Sequence, residues 1–326
     1  MTRSKDIRNN QIISIVGATA TGKTALALEL ATSLIDQKIF RQVHLLSADS
    51  RQVCKGLENL TGADLPTDFV ASKGTNSSHP FFQNQSQNIF LHGVSIIEAN
   101  QEWSAAHFQE LFIEVKSQLN NQACLIVVGG TGFYQKQIAT PAASLGVPQN
   151  QALRRKLETL SVVDLQSKLQ LLAADKFATM NNSDRHNPRR LVRAIELASA
   201  TQTAPAPTQT AKPNHPVFYL QIDKLERETK IKARVEQRFA AAYQEVARLL
   251  QQKTTSSLAA TSTGFRELAQ LIEGQIDQAT CISLWQLAEI QYARRQDTWW
   301  QKQSNLIEIP DRSKLEFMLK CIEEQV

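Results

Sequence analysis

Cysteine is scarce in this chain: four in 326 residues, at Cys54, Cys124, Cys281 and Cys321, with no C-x-x-C pair and no histidine at zinc-ligand spacing. That scatter excludes a disulfide scaffold or a Cys/His zinc site and fits incidental thiols in a reducing compartment. Long apolar runs are missing too; none approaches the roughly 20 residues that span a bilayer. Met1-Thr2-Arg3-Ser4-Lys5-Asp6 leads toward the first apolar run without a signal-like segment. The expectation is a cytoplasmic protein with no membrane partner. Charge of one sign is not extreme either: the net +5 is mildly basic, which permits a polyanionic partner without demanding one. No internal repeat is visible. With 42% apolar residues, the chain has enough material for one large domain and a smaller one.

What is present begins with Gly17-Ala18-Thr19-Ala20-Thr21-Gly22-Lys23-Thr24, directly after Ile12-Ile13-Ser14-Ile15-Val16 and before the helical run Ala25-Leu26-Ala27-Leu28-Glu29-Leu30-Ala31. Strand, glycine-rich turn and helix make the G-x-x-x-x-G-K-[ST] pattern a phosphate-binding P-loop. Gly17 and Gly22 let successive N–H groups turn inward toward an oligophosphate. The helix N-terminus, the Lys23 ammonium and a Thr24 hydroxyl suited to Mg²⁺ complete a cradle for a di- or triphosphate.

Further buried strands are predicted over Val43–Ala48, Ala123–Val128 and Val217–Ile222, with helical spacing between, as in Phe108–Leu119. Strands alternating with helices imply a parallel sheet covered on both faces, with ligands gathering at the carboxyl ends of its strands. The expected fold is α/β: a P-loop NTPase-like parallel sheet flanked by helices, with a small helical insertion and a helical C-terminal part. The expected boundaries are 1–145 for the first part of the core, 146–185 for the insertion and 186–326 for core completion. Residues 71–88, rich in Ser, Asn and Gln, read as a mobile loop, and 200–216 as a Pro-broken linker.

Three more motifs sit where chemistry is expected. Asp49-Ser50-Arg51-Gln52 follows the second strand; there an aspartate is an Mg²⁺ ligand, a general base or a helix cap, while Arg51 can clamp phosphate and Gln52 can read a base edge. Gly129-Gly130-Thr131-Gly132 ends the third strand, where ATPases commonly carry a metal-holding acid; its lack argues against ATP hydrolysis. Arg189, Arg190 and Arg193 make a basic helix face after Pro188. Gln291-Tyr292-Ala293-Arg294-Arg295-Gln296-Asp297-Thr298-Trp299-Trp300 interleaves cations with aromatics, as contacts to single-stranded RNA require.

In register with one another, the P-loop, Asp49-Ser50-Arg51-Gln52-Val53, Val128-Gly129-Gly130-Thr131-Gly132-Phe133-Tyr134, Asn187-Pro188-Arg189-Arg190-Leu191-Val192-Arg193-Ala194-Ile195-Glu196, Gly264-Phe265-Arg266-Glu267 and Gln291–Gln296 with Thr298-Trp299 resemble the tRNA dimethylallyltransferase family. The resemblance covers most of the chain. It implies transfer of a dimethylallyl group from dimethylallyl diphosphate to N6 of adenine 37, beside the anticodon of tRNA. By the same resemblance Asp49 is the general base and residues 17–24 with Arg234 and Arg238 bind the diphosphate, with Mg²⁺ at Thr24. Asp49, Ser50, Arg51, Gln52, Thr131, Arg154, Arg189, Arg190, Arg193 and Gln296 would meet the anticodon stem-loop. A monomeric, bacterial-type enzyme is expected.

The chain departs from the family at Cys54, where tyrosine is usual, at Thr61–Pro66, which generally carries lysine before proline, and at Ile290, where arginine is frequent. Residues 71–88 are also longer and more polar than usual. The first two departures bear on substrate range and rate. Two rival classes share the P-loop: a small-molecule kinase, which would consume ATP, and an RNA-binding switch without transfer chemistry.

Overall fold

The computed structural model describes residues 12–74, 77–86, 88–139, 143–200, 215–253, 255–310 and 313–325. The segment before the first strand and most of the expected 200–216 linker lie outside the described residues. The chain divides into two compact units, one formed by Met1–Ala139 and Lys212–Val326, the other by Thr140–Ala211.

The larger unit is built on an eight-stranded sheet in the order β3-β4-β5-β2-β6-β1-β7-β8. Its strands are β1 (Ile12–Val16), β2 (Gln42–Ser47), β3 (Phe69–Ser72), β4 (Phe81–Asn84), β5 (Ile89–His92), β6 (Ala123–Gly129), β7 (Val217–Tyr219) and β8 (Ile307–Glu308). From β5 to β8 every neighbouring pair is parallel. The central strands are apolar on both faces, because each face is covered by helices. Ile13, Ile15, Val43, Leu45 and Ile126 pack against Leu26, Ala27, Leu30 and Leu34 of the helix Lys23–Asp36. Leu46, Leu125 and Val127 face the other way, onto Phe108, Leu111 and Val115 of the helix Ala105–Ser117 and onto Val235, Ala242 and Val246 of the long helix Lys224–Gln252.

Two expectations change. The sheet is mixed, not wholly parallel, because the stretch expected to be a mobile loop forms the end of β3 and all of β4, which pairs antiparallel with β3 and with β5. Phe82 sits opposite Leu91, and the Asn84 side chain accepts hydrogen bonds from the N–H groups of Asn88 and Ile89, closing the turn. The last predicted strand also stops early, at Tyr219; Asp223 then caps the long helix by accepting from Leu225 and Glu226 N–H.

The smaller unit is helical, with Leu157, Leu165, Leu169, Leu191 and Ile195 at its core. Its span differs from the expected 146–185. The basic helix Pro188–Ser199 belongs to it and not to the sheet, because its apolar stripe closes this core. Among the described residues no helix is long and apolar enough to cross a membrane, and all four cysteines are free.

Candidate functional site

The helix Lys23–Asp36 starts without a side-chain cap and without an acidic residue in its first turn. Its first backbone N–H to bond within the helix is that of Leu26, to Gly22, so the N–H groups of Lys23, Thr24 and Ala25 are left for an anion. Gly22 takes a φ of 90°, open to glycine, and a Cβ on Gly17 would come within 2.4 Å of the Leu220 carbonyl oxygen. These residues open into a cavity of about 770 Å³ at the carboxyl ends of the strands. Five basic side chains line it, Lys23, Arg51, Lys230, Arg234 and Arg238, against three acidic ones, Asp49, Asp64 and Glu289. The balance suits a polyanion.

Lys23 donates to the Ala18 carbonyl at 2.5 Å. Burial of its ammonium, opposed by nearby Asp49 and reinforced by Arg234, pushes its pKa down to about 8. Asp49 is half-buried in the same cavity. Its Oδ1 accepts the Arg51 N–H at 2.8 Å, while its other oxygen has no hydrogen bond among the described residues. The carboxylate is thus oriented by its own loop and keeps one oxygen for a ligand. On the long helix, Arg234 donates to the Thr19 hydroxyl and the Gly62 carbonyl, both at 3.3 Å, and Arg238 pairs with Asp64 at 2.5 Å.

Several residues expected at an RNA contact are occupied within the protein. Gln52 donates to the Gly62 carbonyl and accepts from the Ser47 hydroxyl; Arg51 donates to the Leu258 carbonyl. Gln296 is only 6% exposed, and its Oε1 accepts the Thr19 N–H at 2.8 Å, tying the helix Gln278–Trp300 to the P-loop. Ser50 and Thr131 do not line the cavity. The Thr131 hydroxyl is buried beside the Tyr292 phenol. The glycines around it are required by packing: a Cβ on Gly129, Gly130 or Gly132 would strike Ala48, Gln296 or Trp299. Trp300 is core, against Tyr219, Val16 and Val217.

In the helical unit, Arg154 and Arg193 are also committed. Both hold Glu196, which is 2% exposed, and Arg193 further donates to the Ser144 and Val147 carbonyls. Burial alone would raise the Glu196 pKa, but hydrogen bonds from Arg154, Arg193 and the Asn150 N–H override it and hold the carboxyl at about 2. Arg190 pairs with Asp184. Arg189 is exposed and has no partner among the described residues.

Thr61–Asp64, part of the stretch expected near the substrate mouth, does line the cavity; sequence reasoning missed Asn59, Leu60 and Glu289 as further walls. It also missed Glu245, buried on the long helix, which accepts from the Asn59 and Leu60 N–H groups at 2.9 Å and so fixes that segment. A glutamate on the apolar face of an amphipathic helix was the available signal. No group of three or more His, Cys, Asp or Glu able to hold a metal occurs among the described residues. The exposed Thr24 hydroxyl in the cavity is an oxygen donor of the kind Mg²⁺ takes alongside ligand phosphates and water.

A family model described as IPP transferase matches residues 74–303. The tRNA dimethylallyltransferase 2 of Shewanella sediminis is 31% identical over 302 residues, 91% of this chain and 90% of that protein. The tRNA dimethylallyltransferase of Treponema pallidum (strain Nichols) is 31% identical over 310 residues, 92% and 90% of the two chains. Among solved structures, the tRNA isopentenylpyrophosphate transferase of Bacillus halodurans superposes with a TM-score of 0.63 at 21% identity, covering 96% of this chain and 97% of that one. A eukaryotic dimethylallyltransferase acting on tRNA gives 0.68 at 17% identity, covering 95% and 77%. At these identities the two structures speak to the fold alone.

Proposed function

The chain belongs to the IPP transferase family, and on that premise we propose that it transfers a dimethylallyl group from dimethylallyl diphosphate to N6 of adenine 37 in tRNA, releasing diphosphate. The observation that carries this reading is the placement of Asp49 in one cavity with the P-loop cradle and the Arg234–Arg238 pair.

An exocyclic adenine amine is a weak nucleophile, because its lone pair is delocalised into the ring. Attack on an allylic carbon needs the N6 proton removed as the C1–oxygen bond breaks. Asp49 supplies the base: Arg51 N–H holds one oxygen and the other is open to the cavity. General-base help of this kind is worth about 10²–10⁴-fold. The leaving diphosphate gathers negative charge, which the free N–H groups of the Lys23–Asp36 helix, Lys23, Arg234 and Arg238 receive. Mg²⁺ at Thr24 would neutralise further charge on the diphosphate oxygens when bound. The target base has to leave the anticodon-loop stack to enter the cavity, at a cost of a few kcal/mol. Arg189, exposed on the helical unit and without a partner among the described residues, is available to meet RNA phosphate.

Incubation with tRNA, Mg²⁺ and either labelled dimethylallyl diphosphate or labelled ATP tests the reading. Label entering RNA from the allyl donor is the expected result. ATP turnover without RNA labelling would make the protein a P-loop kinase instead.

A further inference from the structure

The two arginines at the far side of the cavity are not equivalent. Arg234 meets only neutral oxygens, at Thr19 and Gly62, and forms no ion pair among the described residues. Arg238 is already paired. Its Nη2 lies 2.5 Å from Asp64 Oδ1, and its side chain is 14% exposed against 69% for Asp64. The guanidinium is enclosed by protein, and the carboxylate reaches it from the solvent side of a cavity that both line.

The ion pair is not what holds the Asp64 segment in place. Glu245 anchors its Asn59 and Leu60 N–H groups, and Gln52 and Arg234 both donate to the Gly62 carbonyl. Gly62 itself sits at φ 69°, and a Cβ there would collide with both guanidinium groups. The backbone is therefore set independently, and the Asp64 side chain is free to leave Arg238 without the segment unfolding. A carboxylate on a guanidinium occupies the donors that a phosphoryl oxygen would otherwise take.

We propose that Asp64 sets the donor site's affinity for a diphosphate, as an internal counter-ion that the second phosphoryl group has to displace from Arg238. A monophosphate seated on the P-loop leaves the pair intact and gains nothing from Arg238. A diphosphate extends across the cavity, and its higher charge exchanges with the carboxylate. Asp64 thereby lowers the affinity for a diphosphate and narrows its margin over a monophosphate, which never engages Arg238.

This inference rests on the donor-site reading above, and the test separates the two. Calorimetric titration of the full chain with inorganic pyrophosphate or inorganic phosphate, in Mg²⁺ and without RNA, is run on the natural protein and on Asp64→Asn. The variant is expected to bind pyrophosphate about two- to fivefold tighter, the range of a partly exposed ion pair, with a smaller change for phosphate. In an Arg238→Gln background the same substitution should change nothing. Unchanged or weaker pyrophosphate binding by Asp64→Asn overturns the inference, the weaker case making Asp64 a positioning residue for Arg238. An equal gain in the Arg238→Gln background also overturns it, since the effect would then be a general field. Failure of the natural protein to bind pyrophosphate would remove the donor site and this inference together.

Discussion

Arginines in the two units have opposite employment. In the helical unit, Arg154 and Arg193 clamp a buried carboxylate, Glu196, and are used up in holding helices together. In the cavity of the larger unit, Arg234 has only long contacts to neutral oxygens, and Arg238 holds a solvent-exposed carboxylate. The first arrangement is a structural lock; the second is a set of cations poised for exchange. What separates them is the burial of the partner acid: a buried carboxylate cannot be replaced by water or ligand without a large desolvation cost, and an exposed one can.

The sharpest contrast should come from the two carboxylates that each unit depends on. Asp49→Ala is expected to slow single-turnover transfer by about 10²–10⁴-fold while leaving tRNA affinity near that of the natural protein. Near-normal transfer by the variant would take Asp49 out of the base role. Glu196→Ala should instead leave two half-buried guanidinium groups uncompensated and cost the helical unit about 3 kcal/mol of stability. Hydrogen exchange over residues 151–199 reads that loss directly.

Proton linkage divides the units as well. The Glu196 carboxyl is held at about 2, below its ordinary value of 4.5, so it stabilises the fold fully above pH 4.5 and the contribution fades as pH falls toward 2. Acid titration of hydrogen exchange should show this in the natural protein and lose it in Glu196→Gln. Lys23 acts in the other direction. With its pKa near 8 in the unliganded cavity, it is progressively neutral above that pH, whereas a bound diphosphate favours the charged form. Diphosphate affinity should therefore decline above pH 8, by up to about tenfold per pH unit. A Lys23→Arg variant, which stays charged, should lack that part of the decline. The smallest expected effect belongs to Arg189. Replacing it with Ala should weaken tRNA binding a few-fold and reduce the slope of log affinity against log salt by about 1. An unchanged slope would mean that this side of the helical unit does not touch phosphate.

Much of the site was legible because its signals are local. Strand β1, the glycines at 17 and 22 and the capless helix start are consecutive in sequence, so their conformations follow from neighbours alone. The β4–β5 hairpin was not legible, because polar Ser, Asn and Gln dominate residues 71–88 and only the Phe81-Phe82 pair betrays a strand. The fates of Arg51, Gln296, Arg154 and Arg193 were also out of reach. Each has the chemistry to bind RNA, and each is satisfied by a group far away along the chain.

By itself, then, the sequence determined the glycine turn before the uncapped helix, the α/β core and the acid placed just after β2, since backbone geometry and apolar periodicity are short-range properties. Tertiary structure alone decided which polar side chains remain available to a ligand. A hydrogen-bonding group can serve a partner only if the fold has not already satisfied it, and that depends on Glu196, Thr19, Gly62 and Asp64 being brought alongside from distant parts of the chain.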